Sequence, residues 1–263
     1  MREGGPDDVP TTRDHEITVV LLAYNCAHRI VPIVERLLAL QLPIVAVDNG
    51  SRDDTASVLA SFEQVELVRL PENIGAAGRD AGVERVHTPY VLFCDDGWYE
   101  ADGLPVVCDL FDRHPNLALI NAKILVGDEQ RLDPISHEMA ESPVPDRHGL
   151  PGAVLLSFMA GAVAVRTVAY KEVGGYDPRF FIGGEEERCP SSSPRPTTRC
   201  ATFPTWSCTT TRVSRTRATF APTGCATPWS TDGSIDRRAV PCAGRCSRSR
   251  TPRRTSTSFA ERR

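Results

Sequence analysis

Asp95 and Asp96 stand side by side at the end of YVLFCDD, directly after an apolar run. Adjacent carboxylates offer hard oxygen ligands, the kind that suit Mg2+ or Mn2+. Alone, an Asp-Asp pair is more often a solvated turn, so its neighbours decide what it does. Three more carboxylates, Glu185, Glu186 and Glu187, follow a glycine pair in FIGGEEE. A carboxylate can take a hydroxyl proton as that oxygen attacks, and a run of acids can equally cap a helix start. Tyr24, Asp48 and Asn73 also stand where apolar stretches give way to polar ones.

Elements that would position these residues are readable from periodicity. ITVVLLAY, from Ile17 to Tyr24, is a continuous apolar run of the kind a buried parallel strand shows. HRIVPIVERLLAL repeats apolar residues at helical spacing, and PIVAVDNG is a second strand ending in Asp and a turn. DDTASVLASF opens a helix on acids, with Asp53 as a helix-start residue. VELVRL is a third strand, ENIGAAGRDAGVERV a Gly-rich turn into a helix, and YVLFCDD a fourth strand. This alternation predicts an α/β fold: a mostly parallel, Rossmann-like sheet with helices on both faces. Such sheets bind ligands beyond the carboxyl ends of their strands, where Tyr24, Asp48, Asn73, Asp95 and Asp96 all fall.

Several ligand classes are excluded. A dinucleotide-binding domain needs a Gly-rich turn after the first strand, and here that turn reads AYNCAHR. The P-loop pattern is absent, as is the Gly-rich basic loop expected near the N-terminus of a sugar nucleotidyltransferase.

VVLLAYN, VDNGSRDDT, ENIGAAGRDAGV, YVLFCDD and GAVAVRTVAYKEVGGYDPRFFIGGEEE occur in this order. Together they resemble the N-terminal half of a family 2 glycosyltransferase of the GT-A fold, over roughly residues 16–187. The resemblance implies an inverting transfer of a sugar from a nucleoside diphosphate-sugar donor to a hydroxyl. The acceptor is left open among a glycan, a lipid-linked molecule and a small molecule. It implies that Tyr24 lies against the nucleotide base and that Asp48 accepts hydrogen bonds from the base edge. Asn73, Gly75 and Arg79 would shape the turn near the ribose and diphosphate, with Arg79 pairing phosphate oxygens. Asp95 and Asp96 correspond to the family's metal motif, holding Mg2+ or Mn2+ against the diphosphate, with Asp95 also near the ribose. The chain departs from the pattern here: CDDGWYE is one residue shorter than the relatives' Asp-Asp-Asp-Thr-Trp-Trp, with Gly97 in place of the third acid. Residues 158–176 resemble the wall of the acceptor side. Glu186 is the first candidate for general base and Glu185 the second, with Glu187 facing solvent.

Charge divides the chain. Residues 1–187 hold 31 of the 34 acidic and 15 of the 30 basic residues, whereas residues 188–263 hold 3 and 15, every base an Arg. Residues 1–15 are polar, lack a signal-peptide core and read as a flexible N-terminus. With no export signal or transmembrane segment, a cytoplasmic setting is expected. The uncharged stretch from Gly149 to Val165 is broken by Gly, Pro and Ser and reads as a buried strand and loop.

The tail has no Leu and no Lys, and is rich in Ser, Thr, Arg and Pro. By composition it buries no core and is expected to be disordered. Three readings compete. A nucleic-acid arm would carry more aromatics among its arginines, and a zinc module would pair its cysteines at Cys-x-x-Cys spacing. The third is translation in the wrong frame. Reading RCATFPTWSCTTTR (Arg199 to Arg212) from the third base of the first codon, with GC-rich codons, gives Leu-Arg-Tyr-Val-Pro-Asp-Val-Val-Val-His-His-His-Pro. That is a buried strand leading into a histidine loop, which the resemblance places here. On this reading the chain is a glycosyltransferase broken near codon 188; its rivals are a non-catalytic nucleotide-binding remnant and an Arg-tail nucleic-acid binder.

Overall fold

The structure is a computed structural model that describes residues 16–146, 149–150, 152–182 and, as backbone, 199–210. All of these lie within one compact unit, Met1–Arg215. Its first part alternates strand and helix as the periodicity predicts: β1 (Ile17–Ala23), α1 (Ala27–Leu38), β2 (Ile44–Asp48), α2 (Thr55–Ala60), β3 (Val65–Arg69), α3 (Gly78–Val83) and β4 (Tyr90–Cys94). A single 3-10 turn, Gly75–Ala77, leads into α3. Helix α1 buries Ile30, Ile33, Val34 and Leu37, one stripe at helical spacing, and leaves Pro32 on its exposed side.

Residues 97–146, which no motif marks, add β5 (Gly97–Tyr99), α4 (Leu104–Arg113), β6 (Leu117–Val126), β7 (Arg131–Leu132) and α5 (Pro134–Ala140). Strand β8 (Ala162–Arg166) and helix α6 (Thr167–Val173) follow, then β9 (Arg199–Thr210). The sheet has the order β3-β2-β1-β4-β8-β6-β9-β5, with β7 paired to β6. β3, β2, β1 and β4 are parallel. β8 runs against both β4 and β6, and β9 runs parallel to β6.

Alternate residues of the strands feed two cores. Val19 and Leu21 of β1 and Leu92 of β4 meet Ile33 and Leu37 of α1, with Leu59 of α2 and Phe111 of α4. Val20 of β1 and Phe93 of β4 meet Val83 of α3 and Tyr170 of α6. Helices therefore cover both faces of a mostly parallel sheet. The described part of the stretch 149–165 forms a loop leading into β8, with Val154, Leu155 and Phe158 buried. No helix among the described residues is long and apolar enough to cross a membrane.

The expected lack of order after Glu187 does not extend to residues 199–210. They form β9, which pairs with β6 from Leu117↔Arg199 to Val126↔Thr210 and with β5 from Gly97↔Thr210 to Tyr99↔Cys208. Composition averaged over the whole tail hides a local run of Thr and aromatic residues, types that favour strands. The pairing is broken: Phe203 faces Ala122 while Ser207 faces Lys123. Pro204, which has no N–H for a ladder, lies in the skipped stretch.

Candidate functional site

Three neighbouring parallel strands end together. Ala23 registers with Asp48, and Leu21 with Cys94. The residues that follow, Tyr24, Asn49 and the pair Asp95–Asp96, thus stand at the carboxyl edge of β1, β2 and β4. Tyr24 is 40% exposed, open enough for its ring to meet a flat ligand. Asp48 is 3% exposed, and its Oδ1 accepts from the Ser51 N–H at 3.2 Å.

Asn49, which no motif singled out, organises the turn before α3. It is 2% exposed. Its Nδ2 donates to Asn73 Oδ1 and to the Gly75 carbonyl, both at 2.9 Å, and its Oδ1 accepts from the Ile74 N–H at 3.1 Å. Asn73 Oδ1 also accepts from the Gly75 N–H at 2.9 Å. Asn73 and Gly75 thus lie in one hydrogen-bonded turn whose anchor is the residue after β2. The signal was the Asn in VDNG: an amide that follows a buried strand must find partners for both ends.

Arg79 is 4% exposed and paired with Asp95. One guanidinium nitrogen lies 2.6 Å from both Asp95 oxygens. The guanidinium also sits 5.7 Å from the centre of the Tyr176 ring. Burial works against its charge, but the Asp95 carboxylate together with the Tyr176 and Tyr170 hydroxyls outweighs that, so the group is held above its ordinary range. Its Nε has no hydrogen-bond partner among the described residues. Asp95 is accordingly an acid already engaged by a buried cation.

A divalent cation fits here only in company. Among the described residues no group of three or more His, Cys, Asp or Glu side chains converges on one point. Both Asp95 oxygens are engaged by Arg79, so an ion held at this pair would have to complete its shell from phosphate oxygens and water, as Mg2+ does.

The loops after β1 and β2 are laced together. Asn25 Oδ1 accepts from the Arg52 N–H at 2.8 Å, and the Ser51 hydroxyl accepts from the Asn25 N–H at 3.0 Å. Asp53 accepts from the Ala27 N–H at 3.2 Å and from the Thr55 N–H at 3.1 Å, holding the starts of α1 and α2 at once. The Thr55 hydroxyl donates to it as well and, ahead of the other contributions, lowers its carboxyl below the ordinary value. Asp53 is thus a helix-start residue, as expected, with two helices in its charge.

Glu185 and Glu186 lie outside the described residues, as do residues 1–15, 183–198 and 211–263. A separate cavity of about 430 Å³, lined by Arg36, Trp98, Glu100, Asp128 and Gln130 among others, includes none of the strand-end residues above.

The family model for glycosyl transferase family 2 matches residues 18–172. Pre-mycofactocin glycosyltransferase of Mycobacterium tuberculosis is 26% identical over 197 residues, covering 70% of this chain and 40% of that protein. Succinoglycan biosynthesis protein ExoU of Rhizobium meliloti is 28% identical over 180 residues, covering 62% of this chain and 48% of that protein. The chain thus spans less than half the length of these relatives. Among solved structures, mannosyltransferase PcManGT from Pyrobaculum calidifontis, in complex with GDP-Man and Mn2+, superposes with a TM-score of 0.59 at 17% identity. That match covers 76% of this chain and 58% of the other. S. aureus TarS 1-349 gives 0.56 at 14% identity, covering 74% and 60%. At these identities the likeness shows the GT-A fold.

Proposed function

The chain belongs to glycosyl transferase family 2, and we propose that it is built to move a sugar from a nucleoside diphosphate-sugar to an acceptor hydroxyl with inversion. The observation that carries this reading is the meeting of Tyr24, Asp48 and the Asp95–Asp96 pair at the carboxyl edge of three adjacent parallel strands. Tyr24 offers a face for the base, and Asp48 has one oxygen engaged by Ser51 and the other for the base edge. The turn Asn73–Gly75, fixed by Asn49, would contour the ribose and diphosphate side. Arg79 holds Asp95 in place and lends it a counter-charge, in preference to reaching phosphate itself.

Asp96, with Asp95 beside it, would hold Mg2+ or Mn2+. When bound, such an ion neutralises charge that builds on the diphosphate. Glu186, or Glu185 in its place, would take the proton of the acceptor hydroxyl while that oxygen bonds to the anomeric carbon. The bond from that carbon to the diphosphate breaks, and the diphosphate leaves with the electron pair. The complexes of structural neighbours with GDP-Man and Mn2+, and with UDP-GlcNAc, support a nucleotide-sugar donor of this general kind.

A second reading is that this chain binds nucleotide without turning over, because its frame is lost near codon 188. Strand β9 favours it. The slot inside the sheet is filled by a segment with Pro204 and a skipped register; the alternative frame keeps a proline there but follows it with Asp-Val-Val-Val in place of Thr-Trp-Ser-Cys. Thermal-shift titration with UDP, GDP and dTDP, with and without Mn2+, tests the shared part of both readings. Mn2+-dependent stabilisation by at least one nucleotide is expected; no response to any of them sinks the donor site. Sequencing the gene around codon 188 tests the rest.

A further inference from the structure

The loop after α6 is fastened to the turn before α3 at two places. The Ala76 N–H donates to the Phe181 carbonyl at 2.9 Å. Gly75, at φ +68°, lies so close that a Cβ there would meet the Phe181 oxygen at 1.9 Å. At the other end of the loop, the Tyr176 N–H donates to Asp80 Oδ1 at 3.2 Å, and the Tyr170 hydroxyl donates to the same oxygen. A Cβ on Gly175 would lie 2.4 Å from that oxygen, so this approach also requires glycine. Burial pushes the Asp80 carboxyl up, against the effect of these two donors.

Asp80 is next in sequence to Arg79, whose guanidinium holds Asp95 and faces the Tyr176 ring. The segment Gly75–Asp80 therefore touches the acid at the end of β4 and both ends of the loop 174–182. None of these contacts is needed to build the sheet. Each fixes one side of the site relative to another.

We propose that Gly75 and Asp80 are positioning residues that register the loop 174–182 against the donor turn, so that nucleotide binding and loop placement are one linked equilibrium. The proposal rests on the donor-site reading above. Neither residue need touch a reacting atom. Linkage then requires reciprocity: whatever releases the loop weakens nucleotide by the factor by which nucleotide tightens the loop.

The test is amide hydrogen exchange on the full chain, alone and with UDP or GDP plus Mn2+, together with calorimetric nucleotide binding. Gly127→Ala is the control, because Gly127 has a matching φ of +71° and open space where a Cβ would go. Both substitutions carry the same backbone strain, but only Gly75→Ala adds the clash. Gly75→Ala should speed exchange at Tyr176, whose N–H donates to Asp80, about tenfold or more, and Gly127→Ala should not. Asp80→Ala should speed exchange at Ala76, across the loop from the mutated side chain, and weaken nucleotide about tenfold. Asp80→Asn keeps an acceptor oxygen and should restore much of both; it also serves if Asp80→Ala folds poorly. A loosened loop with unchanged nucleotide affinity would overturn the linkage, and unchanged exchange at Ala76 in Asp80→Ala would overturn the register. If wild type binds none of UDP, GDP and dTDP, the donor-site reading fails and the linkage with it, while exchange in the free chain still decides the register.

Discussion

β1 and β9 both lie inside the same sheet, each with a strand on either side, and they fill that position in opposite ways. β1 is Ile-Thr-Val-Val-Leu-Leu-Ala, buried along almost its whole length, with unbroken register to β2 and β4. β9 is Arg-Cys-Ala-Thr-Phe-Pro-Thr-Trp-Ser-Cys-Thr-Thr, and its register to β6 slips twice. A parallel strand covered on both faces calls for a continuous apolar run. β1 has one and β9 does not. Backbone pairing can thus be made by a segment without the apolar run that β1 carries, and the two strands differ in that respect.

The largest effect that would sharpen this contrast is on turnover. The chain as written should transfer little or no sugar, measured as nucleoside diphosphate release. Restoring the frame after Glu187 should give a Val-rich strand in the β9 position and measurable turnover. In that repaired protein Glu186→Gln should lower turnover by roughly 10²–10⁴-fold and keep donor binding, since a base acts on the acceptor proton. Robust transfer by the unrepaired chain would erase the distinction between the two strands.

Stability should divide the same way. Leu21→Ala in β1 is expected to cost about 3–4 kcal/mol in urea unfolding, because Leu21 is fully buried and its cavity cannot collapse against paired neighbours. Shortening the chain to residues 1–198, which removes β9, should cost less than that single substitution. A greater cost would make β9 a true structural strand. At the end of β4, Asp95→Ala should cost roughly 2–3 kcal/mol, since it strips the counter-charge from the buried Arg79. Arg79→Met should cost less, because the Asp95 side chain it leaves is 37% exposed to water.

The smallest effect concerns the laced loops after β1 and β2. Asp53→Ala should cost about 1 kcal/mol, the scale of a lost helix cap. The folded carboxyl titrates below its unfolded value, so this stability is full above about pH 4 and disappears as pH falls through the lower folded value. The difference between wild type and Asp53→Ala should therefore narrow toward pH 3. A gap that widens on acidification would contradict the assignment of those hydrogen bonds.

Much of this was legible in the residues. Strands β1, β2 and β4 announce themselves because both faces are covered and nearly every position is apolar; α1 does so because only one stripe is. The ends of these strands carry the candidate site, so its placement followed. Residues 97–146 were silent, since β5 spans three residues and β6 cannot be told from a helix by periodicity alone. The Arg79–Asp95 pair was hidden too. Nothing in a helical Arg and a strand-end Asp says which will turn toward the other, and a phosphate partner was an equally good guess from residue type. Asn49 stood in the shadow of Asp48, although its amide, buried with both ends satisfied, does more to shape the turn. β9 was hidden because the composition of the whole tail averages away a short run of strand-forming residues.

On the proposed reading, the carboxyl edge of β1, β2 and β4 binds a nucleoside diphosphate with a divalent cation through Asp96. Calorimetric titration of UDP, GDP and dTDP with Mn2+ into wild type, Asp96→Ala and Asp53→Ala tests it most directly. The account predicts Mn2+-dependent binding of at least one nucleotide by wild type, its loss in Asp96→Ala, and its retention in Asp53→Ala. Equal loss in both variants, or binding that ignores both Mn2+ and Asp96, would contradict it.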